Sequence, residues 1–148
     1  MSQPPSELVE RYQILLEKDP KSKVFAPLAE AYRQWGWYRE AENLCLEGLK
    51  HHPYFAGGCV ALAQVYFDQQ SWEKSRQYLE RAVEIAPENI LAQRLLAEVC
   101  VKARRPKAAL RAYKMVLFLK PDDAQASKSV RKLESLTADE YDDELFEM

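Results

Sequence analysis

The chain has 148 residues, 47% of them hydrophobic and 30% charged, with a formal net charge of −2. That is enough chain to bury the core of one domain, too apolar for wholesale disorder, and without the concentrated basic stripe that nucleic-acid binding needs. Three widely spaced cysteines form no disulfide framework or paired-thiolate zinc site, no secretory signal opens the chain, and no apolar run could span a bilayer. The expectation is a cytoplasmic protein in a reducing compartment, with no membrane insertion.

In chain order, Leu8, Tyr12 and Leu15 lie at helical spacing ahead of Pro20 and predict a lone helix over 6–18. Paired amphipathic stretches follow at 22–35 and 38–51, at 56–69 and 72–85, and at 90–103 and 106–119. Residues 123–136 read as a closing helix, with Ala124, Ala126, Val130 and Leu133 on its covered side. Eight helices is therefore the expected count. From Ala138 onward six acids (Asp139, Glu140, Asp142, Asp143, Glu144, Glu147) and no base make an acidic tail, 138–148, expected to be flexible. Without those acids the rest of the chain carries +4.

The pairs repeat. Pro20, Pro53, Pro87 and Pro121 are spaced 33, 34 and 34 residues apart, just past the second helix of each pair. Leu28, Leu62 and Leu96 share a register, each followed by an alanine (Ala29, Ala63, Ala97) and then by Tyr32, Tyr66 or Cys100. Ala41, Ser75 and Ala109 align, as do Cys45, Leu79 and Tyr113. Small residues allow two helix backbones to approach, and larger ones fill the space around the crossing. One such hairpin cannot bury its own apolar faces, so neighbours must stack.

The units read Phe25-x2-Leu28-Ala29-x2-Tyr32 with Ala41-x3-Cys45 and Pro53; Cys59-x2-Leu62-Ala63-x2-Tyr66 with Ser75-x3-Leu79 and Pro87; and Gln93-x2-Leu96-Ala97-x2-Cys100 with Ala109-x3-Tyr113 and Pro121. This resembles the tetratricopeptide repeat, W-x2-L-G-x2-Y then A-x3-F then P at a period of 34. The resemblance implies an all-α, right-handed superhelical solenoid of antiparallel helix pairs over 1–137. Its parts are a half repeat at 6–20, full repeats at 22–53, 56–87 and 90–121, and a capping helix at 123–136.

The resemblance further implies that the first helix of each pair lines a concave groove for a partner. Steps of three and four residues place Lys23, Ala26, Glu30 and Arg33 on the exposed stripe of the first pair. The same steps place Gly57, Val60, Gln64 and Phe67 in the second, and Leu91, Arg94, Glu98 and Val101 in the third, with Lys128 and Lys132 extending it. Val60, Phe67, Leu91 and Val101 are apolar with no evident intrachain burial, which suits a docked peptide or helix. The family's carboxylate clamp for chaperone tails needs cationic donors, and Ala26, Glu30, Ala61, Leu91 and Leu95 supply none, so that ligand is not expected.

No catalytic residues, metal ligands or cofactor site are expected. Cys45, Cys59 and Cys100 fall in the core register, His51 and His52 adjoin at a helix end, and Gly57 with Gly58 makes no phosphate loop. In the tail, Tyr141, Leu145 and Phe146 interleave with the acids as a candidate docking motif. The functional expectation is a non-catalytic adaptor that binds a protein or peptide. Its rivals are a secretion-type chaperone holding an exported subunit, and a scaffold that self-associates weakly through the tail or through the open repeat edge at 6–18.

Overall fold

The computed structural model describes residues 7–147, with side chains through Ala138. Among the described residues every regular element is an α-helix: α1 (Glu7–Lys18), α2 (Phe25–Gln34), α3 (Tyr38–His51), α4 (Ala56–Asp68), α5 (Trp72–Ile85), α6 (Ile90–Lys102), α7 (Pro106–Leu119) and α8 (Ala124–Glu147). The chain divides into two compact units, Met1–Ile85 with α1–α5 and Ala86–Met148 with α6–α8.

Helix ends follow the punctuation in the sequence. Pro20, Pro53, Pro87 and Pro121 each lie two residues beyond the end of α1, α3, α5 or α7, where the ring blocks continuation. The turns inside the pairs also repeat. Gly36, Gln70 and Arg104 adopt left-handed backbone, with φ of 80°, 60° and 58°. The next amide in each case reaches back over the helix end: Trp37 N–H donates to the Tyr32 carbonyl at 2.9 Å, Ser71 to Tyr66 at 2.8 Å and Arg105 to Cys100 at 2.8 Å. This Schellman closure satisfies carbonyls that a helix end otherwise leaves without partners.

In the first unit α4 is the most enclosed helix, packed against α2, α3 and α5, and eight of its thirteen residues are buried. Ala29, Ala41, Ala63 and Ser75 are fully buried at the close approaches. Ser75 fits a small-residue position because its hydroxyl donates to the Ala63 carbonyl at 2.8 Å. The Phe25 ring is wedged against Gly48 of α3 and Gly58 of α4. A Cβ on Gly58 would come within 2.8 Å of the ring, and one on Gly48 would overlap it outright. Phe55 meets the same ring edge-on at 5.8 Å. By contrast α1 buries only Val9 and leaves Leu8, Ile14 and Leu15 half-exposed.

In the second unit Leu96, Ala97, Val99 and Cys100 of α6 and Ala109, Ala112, Tyr113 and Val116 of α7 form the core, which Ala126, Val130 and Leu133 of α8 close. Asp123 starts α8 as its cap: the Ala126 N–H donates to Oδ1 at 2.9 Å, and Arg94 of α6 donates to Oδ2 at 2.6 Å.

Two boundaries differ from the sequence reading by more than one residue. Helix α2 starts at Phe25 rather than 22, because Asp19 and Ser22 hold the chain in turns: the Lys21 N–H donates to the Asp19 carboxylate at 3.1 Å, and the Val24 N–H to the Ser22 hydroxyl at 3.2 Å. Helix α8 runs to Glu147, not 136, since no glycine or proline follows Pro121 and the segment is rich in strong helix formers. The side chains of Tyr141, Leu145 and Phe146 lie outside the described residues.

Candidate partner-binding surface

The groove residues expected from the repeat register separate into framework and surface. Val60 is buried at 6% exposure and Ala26 at 8%, so neither is available to a partner. The expectation for Val60 fails because α4 is enclosed on several sides and has no solvent stripe at that position. Phe67 is half-buried, its ring edge-on to Trp72 at 5.1 Å, and therefore belongs partly to the fold. Gln64, one turn earlier on α4, is also half-buried.

On α2, Glu30 and Arg33 form a connected polar cluster. The Arg33 guanidinium donates to Glu30 at 2.5 Å and 3.0 Å and to Asp68 of α4 at 2.7 Å. The hydrogen bond to Glu30 leads in raising the Arg33 pKa still further, against the opposing effect of burial, so it is charged at any accessible pH. This cluster ties the C-terminal turns of α2 and α4 together. Lys23 lies in the turn before α2, exposed, with its ammonium 5.2 Å from the Phe55 ring centroid. The structure thus brings Glu30 and Arg33 together with the end of α4 near Phe67, and leaves Lys23 apart from them.

In the second unit Leu91, Arg94, Glu98 and Val101 follow one another along α6 at spacings of three, four and three, a single helical stripe. Leu91 and Val101 are 48% and 47% exposed, which makes them the apolar members of the predicted set that are most open to solvent. Arg94 lies between them, anchored by Asp123, and that pairing leads in holding the Asp123 carboxyl below the usual carboxylate range. A fixed cation between two exposed apolar side chains is a surface that can recognise an extended or helical segment.

Other sequence candidates resolve as structure. Cys45, Cys59 and Cys100 are buried, and no disulfide joins them. Burial pushes the Cys45 thiol up to about 12 and raises that of Cys59, the opposite of what a nucleophile or metal ligand requires. His52 closes α3, its N–H donating to the Gly48 carbonyl at 3.0 Å while its ring Nε2 contacts the Lys21 carbonyl at 2.5 Å, and His51 is 3.7 Å from Glu47 on α3. Among the described residues no cluster of histidine, cysteine, aspartate or glutamate could hold a metal, and no helix is long and apolar enough to cross a membrane.

One surface was missed. Phe118, on the outer side of α7, is 79% exposed, and Arg111, Lys114 and Met115 line a shallow groove of about 360 Å³ beside it. The register held the signal: residues 111, 114, 115 and 118 align with Gln77, Glu80, Arg81 and Glu84 on α5 and with Asn43, Leu46, Glu47 and Lys50 on α3. Only α7 combines several bases with an exposed aromatic ring at those positions.

Residues 59–119 match the family model for the tetratricopeptide repeat. Over 123 residues the chain is 26% identical to Tetratricopeptide repeat protein 17 of Danio rerio; the match covers 81% of this chain and 10% of that one, so the chain spans about a tenth of the length of that relative. Among solved structures it is similar to MamA, with a TM-score of 0.77 at 18% identity, covering 88% of this chain and 77% of that one. It is also similar to the first TPR of Spaghetti (RPAP3) bound to the HSP90 peptide SRMEEVD, with a TM-score of 0.72 at 22% identity over 80% of this chain and 94% of that one. YrrB, a TPR protein described as having an unusual peptide-binding site, gives a TM-score of 0.76 at 19% identity over 82% and 63%. Identities this low carry the fold alone, and the fold agrees with the register, the proline spacing and the thrice-repeated left-handed turn: the chain has the helix-pair fold of tetratricopeptide-repeat proteins, and its residues 59–119 match that family's model.

Proposed function

We propose that this chain is a non-catalytic, cytoplasmic adaptor that holds a peptide or a partner's helix on the exposed faces of its first helices. The observation that carries this reading is the α6 stripe, where Leu91 and Val101 stand in solvent on either side of the Arg94–Asp123 pair. In the other unit, Gln64 and Phe67 beside the Arg33 cluster offer a second and more polar face. The solved structures of similar fold include one bound to an HSP90 peptide. For this chain, however, the clamp positions Ala26, Glu30, Ala61, Leu91 and Leu95 lack cationic donors. Recognition therefore rests on apolar contact with charge at the edges, and the affinity expected of such a surface is around micromolar.

The test is selection of binding peptides from a random displayed library against the wild-type chain. Enriched peptides should bind Leu91→Asp/Val101→Asp at least about tenfold more weakly, while its helical circular dichroism stays unchanged, since both positions are surface-exposed. Equal binding to that variant would remove the α6 stripe from the site.

A further inference from the structure

The outer face of α7 is chemically unlike its counterparts. Between Val99 and Pro121 the sequence carries Lys102, Arg104, Arg105, Lys107, Arg111, Lys114 and Lys120 without a single acid. Arg111, Met115 and Phe118 follow at i, i+4 and i+7, and Lys114 flanks them. Lys114 is 3.4 Å from Glu134, an exposed pair that contributes little and exchanges readily. Arg111 has no ion pair among the described residues. An exposed phenylalanine and a methionine framed by bases form a docking surface for an acidic segment with apolar anchors.

The chain contains such a segment. Residues 139–148 carry six acids, and Tyr141, Leu145 and Met148 repeat the same i, i+4, i+7 spacing. The backbone there is helical as far as Glu147. Nine helical residues span about 13 Å, and the stripe from Lys107 to Phe118 spans about 16 Å, so the lengths match.

A chain's own segment does not reach Phe118. Helix α8 returns along α7: Tyr113 bonds Ser129, Lys114 meets Glu134, and Thr137 and Ala138 border Lys107, Leu110 and Arg111. Each further residue of α8 therefore moves past the start of α7, away from Met115 and Phe118 at its other end. We propose that the acidic segment 139–148 of a second copy docks on the Arg111–Lys114–Met115–Phe118 face. This is a head-to-tail contact, independent of the α6 stripe. Because donor and acceptor surfaces differ, it is heterologous and can propagate beyond a dimer.

The experiment is sedimentation equilibrium of the full chain over roughly a hundredfold range of concentration at low and high salt, with micromolar affinity as the guide. The average mass should rise above the 17.2 kDa of the monomer with concentration, and fall back toward it at high salt. Arg111→Glu/Phe118→Ser and the deletion of residues 139–148 should each weaken association at least about tenfold. Mixed one to one, the face variant still donates a segment and the deletion variant still offers a face, so the mixture should form a dimer that grows no further. A wild-type chain that stays monomeric would overturn the proposal, as would association unaffected by either variant. A mixture that stays monomeric would overturn it too, pointing to contact within one chain or between identical surfaces.

Discussion

Phe25 in the first hairpin and Gln93 in the third occupy the same register position and are buried to 1% and 5% exposure, yet their surroundings are built by opposite means. Around Phe25 the neighbours shrink: Gly48 and Gly58 yield the space that the ring fills. Gln93 lies in a unit where the register equivalents of those glycines are Val116 and Ala126, both fully buried, and its amide is satisfied by donating to the Pro87 carbonyl at 3.0 Å. The repeat thus specifies that the position is buried and how much volume the set must fill, not which residue fills it. A consensus aromatic is one solution. A hydrogen-bonded amide with bulkier neighbours is another.

The strongest way to break this comparison is at Phe25. Phe25→Cys, which copies the residue at the equivalent position of the second pair, should cost about 3 kcal/mol or more in urea unfolding, because the glycines leave a void that cannot collapse. Gly48→Ala alone should cost about 1–3 kcal/mol despite its better helix propensity, because the new methyl overlaps the ring. In the Phe25→Cys background the same Gly48→Ala should become stabilising, reproducing the Cys59 and Ala82 arrangement of the second pair. Simple additivity of the two substitutions would rule out the volume exchange.

How much of this was legible follows from the range of each interaction. The period, the helix pairs and the proline stops were readable because they rest on local chain geometry and on apolar spacing within a turn or two. The burial of Val60 was not read correctly, because it depends on how many helices surround α4. The charge-free run AGGCVALAQVYF in that helix was the available warning. Arg33 and Arg94 read as groove residues, since Asp68 and Asp123 stand 35 and 29 residues away and their pairing is a tertiary event. Phe118 stands out only when α7 is set beside its counterparts, which carry Glu84 and Lys50 at the same register position. Leu91 and Val101, at the two ends of α6, are exposed as the spacing suggested.

A smaller contrast between the hairpins lies in their turns. The first pair turns on Gly36, whose missing Cβ has open space around it, while Gln70 and Arg104 hold the same left-handed backbone with side chains. Left-handed backbone costs a non-glycine residue about 1–2 kcal/mol, and glycine's greater freedom in the unfolded chain offsets part of any gain from replacement. Gln70→Gly and Arg104→Gly should each stabilise by about 0.5–1 kcal/mol, and Gly36→Ala should destabilise by a similar amount, as read from denaturant midpoints. Loss of stability in both glycine variants would mean that the side chains at 70 and 104 contribute more than the turn geometry does.

The smallest expected effect separates charge from capping at Asp123, a contact the third hairpin makes with α8. Asp123→Asn keeps an acceptor for the Ala126 N–H, since asparagine caps about as well as aspartate, but removes the charge that faces Arg94. Arg94 first, and the Ala126 N–H second, hold the Asp123 carboxyl below its unfolded value. A depressed carboxyl stabilises the fold at pH above the unfolded value, near 4, and loses that contribution as pH falls through the lower folded one. The wild-type chain should therefore unfold about one or two degrees above Asp123→Asn at neutral pH. The gap should close progressively below about pH 4 as the carboxyl takes up its proton. A gap that persists unchanged to pH 2 would assign the difference to packing around the cap, and the Arg94 pairing would then be incidental to the stability of the unit.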